Sequence, residues 1–327
     1  MKVITVSEAR NRDLFWKFTH ERQKAFYNRF NGKDEPWCAD SIINKHKFTN
    51  VFRSADRVSQ YLINHVQKKG PQDPKNLFFR TILFKIFNKI ETWEEFEKKF
   101  GVVEYSTYDE EAYHEVCMSM KARKVSPYLG AYLILRSHAD YNHLPSSIMR
   151  HLALIRDMME INAWETVQNR TSLKSVYDYL RCFPFIGVFL SYQFTIDLNY
   201  SDLINFSEND FTIPGPGARE GAELCGYGNK VKDIQDAIHH IVRNQVELSE
   251  QSGFLPFTLF GRPLHAIDVQ NLFCEVYKYL RYQGYAEPRR SESRGHRNWT
   301  FKPKTTPIKF GFPDKWGIVV PEPPYYG

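Results

Sequence analysis

The sequence predicts a mainly α fold, and three observations carry that prediction. Apolar residues recur at i, i+3, i+4 and i+7 in many segments, the signature of one buried helix face. No succession of alternating, strand-like runs appears. The stretch Ser172 to Leu198 reads as two helices joined by a tight turn, Phe183-Pro184-Phe185-Ile186-Gly187. Leu173, Val176, Tyr177 and Leu180 make the apolar face of the first helix, Pro184 stops it, and Gly187 permits a close backbone approach as the second begins. Free amides at that start suit an anion, a DNA phosphate being one, although an ordinary αα-hairpin reads the same way.

Composition sets the outer limits. With 327 residues, 42% hydrophobic and 15% aromatic, the chain can bury a sizeable core in one large domain or two intimate ones. A net charge of +6 permits a polyanionic partner without requiring one. Much of the excess lies in Arg289, Arg290, Arg294, Arg297, Lys302, Lys304 and Lys309. The five cysteines, Cys38, Cys117, Cys182, Cys225 and Cys274, are widely spaced with no CxxC, which argues against zinc and iron–sulfur frameworks and for free thiols in a reducing compartment. No signal-like or membrane-length apolar run is present, so the expectation is a soluble protein of the cytoplasm, of a host cytoplasm if phage-encoded and of the nucleus if eukaryotic.

In order, residues 8 to 30 form a first helix in which Leu14, Phe15, Phe18, Arg22, Phe26 and Phe30 share or flank one face, closed by the turn Asn31-Gly32-Lys33-Asp34. Pro36-Trp37 opens a second helix with Ala39, Ile42 and Ile43 inside. A polar corner, 47 to 57, leads into a helix ending near Val66. Phe78 to Glu91 is strongly apolar, and Thr92 is placed to cap a short helix after it. Residues 108 to 124 are amphipathic, Tyr128 to Ser137 fits a helix or a short strand, and a helix runs from about Leu144 to Ala163. Beyond the hairpin come helices over 230 to 250 and from His265 to Arg281, with a turn-rich loop, Phe254 to Pro263, between them. Residues 1 to 285 make one helical domain. Residues 286 to 327 are a basic extension rich in Pro and aromatics, packing back in part through Trp299, Phe301, Phe310, Phe312 and Trp316.

Four constellations have chemical potential, each beside a plain structural reading. Asn50, Arg53 and Arg57 cluster with Thr49 in the 47 to 57 corner, which is either a capped helix–helix junction or a loop touching phosphate. Asp210 stands between the hairpin and a Pro-Gly loop, as a solvated loop residue or as a carboxylate that activates a nucleophile or stabilises a developing cation. In Pro214-Gly215-Pro216-Gly217-Ala218, Gly215 and Gly217 can present amides to phosphate or pyrophosphate with Arg219 as a bidentate partner; the alternative is a rigid surface turn. His265, Asp268 and Asn271 share one side of an otherwise apolar helix, as a buried hydrogen-bond network or a site with Asp268 as base. No GxSxG, HExxH, EF-hand or Walker loop is present, and His138 and His143, at i and i+5, do not share a helical face. No metal or other cofactor is expected.

The hairpin turn, the later Asp210 and the helical surroundings resemble the helix-hairpin-helix DNA glycosylase fold. Two departures matter: the first hairpin glycine of that pattern is Phe185 here, and the lysine that lyases place two residues after the second glycine is Phe189, which argues against Schiff-base chemistry. KFTNVFRSADRVSQYL, FPFIGVFLSYQFTIDLNYS, ENDFTIPGPGA and HAIDVQN, spread from about Phe15 to Arg281, look like the α-glutamyl/putrescinyl-thymine pyrophosphorylases, amino acid:DNA transferases of phage thymine hypermodification. They are also similar to the helical domain of 5-hydroxymethyluracil DNA kinases. The resemblance implies a transferase in which an amine, an amino acid or a polyamine, displaces pyrophosphate from 5-pyrophosphoryloxymethyl-deoxyuridine in double-stranded or locally opened DNA. It implies that Phe185, Ile186 and Gly187 hold the strand. Gly215, Gly217 and Arg219, with Asn50, Arg53, His265 and Asn271, bind substrate phosphate, and Asp210 or Asp268 acts on the amine. With no kinase phosphate loop in the sequence, a 5-hydroxymethyluracil DNA kinase would be a separate partner. The other readings are a non-catalytic module on hydroxymethyluracil DNA and a monofunctional glycosylase.

Overall fold

A computed structural model describes residues 4–130, 134, 136–287, 300–301 and 309–325. The helices are α1 (Val6–Phe30), α2 (Ser41–Lys45), α3 (Arg57–Tyr61), α4 (Pro74–Phe87), α5 (Ile90–Phe100), α6 (Glu110–Ala122), α7 (Ser147–Glu160), α8 (Ala163–Gln168), α9 (Leu173–Leu180), α10 (Val188–Leu198), α11 (Pro216–Leu224), α12 (Val231–Gln251) and α13 (Ala266–Tyr282). A π-helical turn, Leu62–Gln67, continues α3. Among the described residues there is no strand, only two isolated bridges, so the protein is mainly α. The chain forms two compact units: Met1–Asp56 with Phe211–Phe310 and Ile318–Gly327, and Arg57–Asp210 with Gly311–Gly317.

The first unit is built on α1 and α13. Thr5 and Glu8 start α1 as a reciprocal capping box, Glu8 N donating to Thr5 Oγ1 at 3.2 Å and Thr5 N to Glu8 Oε2 at 2.8 Å. The buried stripe of α1 then meets α13, Phe15 against Phe273 at 5.2 Å between ring centres and Phe18 against Tyr279 at 5.2 Å. α11 lies still closer to α13. A Cβ at Gly221 would stand 1.9 Å from the Phe273 carbonyl oxygen, so the approach needs glycine. Asn11 Nδ2 and Arg12 Nε donate to the carbonyls of Leu224 and Cys225 at 2.8 and 2.7 Å, satisfying groups left open at the α11 C-terminus.

The second unit surrounds α4, which is buried on all sides from Leu77 to Phe87. Its two buried cations have defined partners. Arg80 donates to the Val66 and Gln67 carbonyls at 2.8 and 3.2 Å, at the end of the π turn, and Lys85 meets Asp197 of α10 at 3.1 Å and Asn88 Oδ1 at 2.6 Å. Residues 311–317 join this unit: Gly311 N donates to Gln60 Oε1 at 2.9 Å, Lys315 Nζ to the Ser201 and Ile204 carbonyls at 2.6 Å, and Trp316 meets Tyr200 edge-on. The extension thus packs back through Phe312 and Trp316 here, and in the first unit through Phe301 on Trp37 and Phe310 on Phe26. Trp299 and the basic residues Arg289, Arg290, Arg294, Arg297, Lys302 and Lys304 lie outside the described residues.

Some boundaries differ from expectation. The helix expected from Pro36 begins at Ser41, because Asp40 Oδ1 accepts the amides of Ile42 and Ile43 at 2.9 and 3.1 Å. The apolar run expected to reach Glu91 is divided: Asn88, at φ 50°, ends α4, and α5 starts at Ile90. Thr92 is therefore no cap; it is buried inside α5, and its hydroxyl donates to the Pro127 carbonyl at 2.7 Å. Residues 128–130 belong to neither helix nor strand, and much of Tyr128 to Ser137 lies outside the described residues.

Candidate functional site

The hairpin belongs to the second unit. Ser172 caps α9 in a box with Ser175, and α9 ends at Leu180, well before Pro184. At the tip, Phe185 takes a left-handed backbone, φ 65°, where a non-glycine residue is strained by about 1–2 kcal/mol. Its ring is buried against His138, Tyr141 and His151, with ring centres 5.6, 5.3 and 5.1 Å away. His151 is itself fixed by Tyr128 Oη at 2.8 Å. The position that resemblance gives to glycine thus keeps a glycine-like backbone, and aromatic packing offsets the strain. Ile186 is buried. Gly187 precedes α10, is exposed and has an ordinary φ of −79°; among the described residues no side chain caps the helix, and a Cβ there would meet nothing within 4 Å. Space beside the backbone at 187 is therefore open to solvent. Asp210 ends this unit in an exposed turn, its amide donating to the Ser207 carbonyl at 3.2 Å.

Of the other residues marked in the sequence, Arg57 opens α3 in the second unit, whereas Asn50, Arg53, Gly215, Gly217, Arg219, His265, Asp268 and Asn271 lie in the first, where carboxylates gather several of them around the turn at 49–56. Asp268, on the first turn of α13, is 3% exposed. Its Oδ1 accepts the Arg53 amide at 2.8 Å and its Oδ2 the His265 amide at 3.0 Å. His265 returns the capping interaction from the N-cap position, and Arg262 lies 3.0 Å from its Nδ1. One turn of chain earlier, Thr49 N donates to Glu275 Oε2 at 2.9 Å and Asn50 N to Asp56 Oδ1 at 2.7 Å. Arg22 of α1 donates to the Thr49 carbonyl at 2.9 Å and also to Asn50 Oδ1. Asn50 Nδ2 closes the turn onto the Ala55 carbonyl at 2.7 Å. Burial pushes the Asp56 carboxyl up to about 7 despite the Asn50 amide and the Arg22 guanidinium, which favour its charged form.

Asn50, Arg53, His265 and Asp268 are therefore one connected network. Arg53 is 2% exposed, and Asn271, half-buried, lies further along α13. Gly215, Gly217 and Arg219 form a separate feature at the start of α11. Gly215 is the N-cap and Pro216 the first helical residue, two positions earlier than the expected start near Ala218. Gly215 and Gly217 are buried, whereas Arg219 is exposed with Nε 3.4 Å from the Pro214 carbonyl. Sequence reasoning did not assign Asp56 or Glu275 to the site, and it noted Arg22 only as part of the first helix's face. Arg22 and Glu275 reach the turn from distant helices, so only the acid six residues after Asn50 left a local signal.

Comparison with known proteins places these features in a family. Residues 9–286 match the family described as 5-hmdU DNA kinase, helical domain. A 5-hmdU DNA kinase of Bacillus phage SP10 is 24% identical over 297 residues, covering 83% of this chain and 45% of that protein. The chain thus spans less than half the length of that relative. No solved structure matches it. From α1 through α13, with the hairpin and the 49–56 turn inside the matched region, this chain belongs to the family of 5-hmdU DNA kinase helical domains.

Proposed function

We propose that the chain acts in the modification of 5-hydroxymethyluracil in DNA, as a transferase that displaces pyrophosphate from 5-pyrophosphoryloxymethyl-deoxyuridine by an amine. Membership in the helical-domain family supports the modified base, and the relative's name supports DNA carrying it as the substrate. The observation that carries the chemistry is the network around residues 49–56, where carboxylates, a guanidinium and an amide side chain converge in a part-buried place. Such fixed groups favour charge separation because they need little reorganisation as charge develops.

In this reading Phe185, Ile186 and Gly187 present the hairpin tip to the DNA backbone. The target base leaves the stack to reach the protein. Gly215, Gly217 and Arg219 receive the departing pyrophosphate, with Asn50, Arg53, His265 and Asn271 shaping the phosphate side. Asp210 or Asp268 orients the amine. The amine nitrogen forms a bond to the C5 methylene as the carbon–oxygen bond breaks, and the electron pair leaves with pyrophosphate. One proton must leave the nitrogen.

A second reading has its own support. The match covers 45% of the phage kinase, so the helical region also suits a module that binds hydroxymethyluracil DNA for a separate kinase. DNA carrying hydroxymethyluracil or its pyrophosphate, incubated with the protein and candidate amines and then digested for nucleoside mass spectrometry, separates these readings. A heavier nucleoside with released pyrophosphate supports transfer. Unchanged nucleosides with retained DNA binding support the module, and a free base would show excision instead.

A further inference from the structure

Asp56 has a geometry that its place in the chain does not explain. It directly precedes α3, where an aspartate ordinarily turns its side chain onto the first amides of its own helix. Here Oδ1 turns back to the Asn50 amide at 2.7 Å, and among the described residues no hydrogen bond reaches Oδ2. Asp56 is half-buried, so that oxygen is neither consumed by the fold nor fully hydrated. Charged groups face it from three elements: Arg22 on α1, Arg53 in the 53–55 turn and Glu275 on α13. Asp268 differs, because both its oxygens hold backbone amides. A carboxylate with one fixed and one unoccupied oxygen is oriented yet able to take a proton.

We propose that Asp56 is the acid–base group of this network, accepting through Oδ2 the proton that the attacking amine must lose. This rests on the transfer reading. The proton moves from the amine nitrogen to Oδ2 as the nitrogen lone pair forms the new carbon–nitrogen bond and pyrophosphate departs with its electron pair. The carboxyl, near 7 in the folded protein, is matched to accept a proton at neutral pH and return it to water.

The raised value has a consequence that needs no turnover. An unfolded aspartate ionises near ~3.9. The folded protein therefore holds the Asp56 proton more tightly, and stability falls as pH rises from there towards 7. D56N keeps an acceptor for the Asn50 amide and cannot ionise. The experiment compares the melting temperature of the full chain and D56N from pH 5 to 8, alongside product formation on a duplex carrying 5-hydroxymethyluracil pyrophosphate with putrescine and the common amino acids. The expected result is that D56N melts above the parent at pH 8, that the gap closes towards pH 5, and that product formation falls by about 100-fold. If the parent makes no heavier nucleoside while the melting gap appears, the transfer reading fails and the poised carboxylate stands. If product forms and D56N melts below the parent at every pH, or keeps the parental rate and pH profile, the assignment of Asp56 is overturned.

Discussion

The hairpin tip at 183–187 and the turn at 49–56 hold irregular backbone in opposite ways. At the tip, one aromatic ring fixes the chain: Phe185, at φ 65°, is buried among His138, Tyr141 and His151, while Gly187 beside it stays exposed. At the turn, charged side chains fix it: Asp56, Asp268 and Glu275 each accept a backbone amide, and Arg22 donates to the Thr49 carbonyl. The first arrangement leaves backbone facing solvent, which suits gripping a polyanion. The second leaves polar side chains gathered and part-buried, which suits charge rearrangement. The difference teaches that irregular backbone can be held either by ring burial or by charged acceptors, and under the proposed function the first serves grip and the second chemistry.

The largest effect is expected at Asp268. In D268A the amides of Arg53 and His265 both lose their acceptor, at about 1–3 kcal/mol each. Urea unfolding of D268A should show a loss of about 4 kcal/mol, and a loss below ~1 kcal/mol would mean that the turn is held by other contacts.

Phe185 should show an inverted order. Removing its ring costs about 3 kcal/mol or more through the cavity among the three neighbouring rings. F185G then escapes the left-handed strain that F185A keeps, so glycine should be the more stable of the two by about 1 kcal/mol. Glycine usually ranks below alanine by a comparable amount. Denaturant midpoints of the two variants decide this, and the usual order would show that ring burial, not backbone conformation, governs the tip.

The smallest change in stability belongs to Gly187. Its φ of −79° and open surroundings should let G187A fold within about 0.5 kcal/mol of the parent. The added methyl would nonetheless stand where a DNA backbone is proposed to approach, and a loss of affinity of about tenfold is expected in a duplex titration, close to 1.4 kcal/mol. Unchanged affinity would move the grip away from the tip.

Much of the helical framework is legible in the sequence because each long helix carries a buried stripe and most carry a local start signal, such as Ser172 before α9 or Asp109 before α6. The failures were local contests. Asp40 set the start of α2 against the Pro36 signal, and Asn88, in a left-handed conformation, cut an apolar run that looked continuous. In the candidate site, the residues of the polar turn and of the α13 start were visible as residue types. Their connections were not, because Arg53 to Asp268 and Thr49 to Glu275 span more than 200 residues. Asp56 left a local signal that points the wrong way: an aspartate before a helix reads as a cap, and in the structure it is turned away from that duty.

The most direct test of the separation between grip and chemistry is single-turnover product formation at saturating duplex for G187A and D56N together. Saturation is expected to restore G187A to near the parental rate, because only binding is weakened there, while D56N stays about 100-fold slow. Recovery of D56N at saturating DNA, or persistent slowness of G187A with D56N unaffected, would contradict that separation.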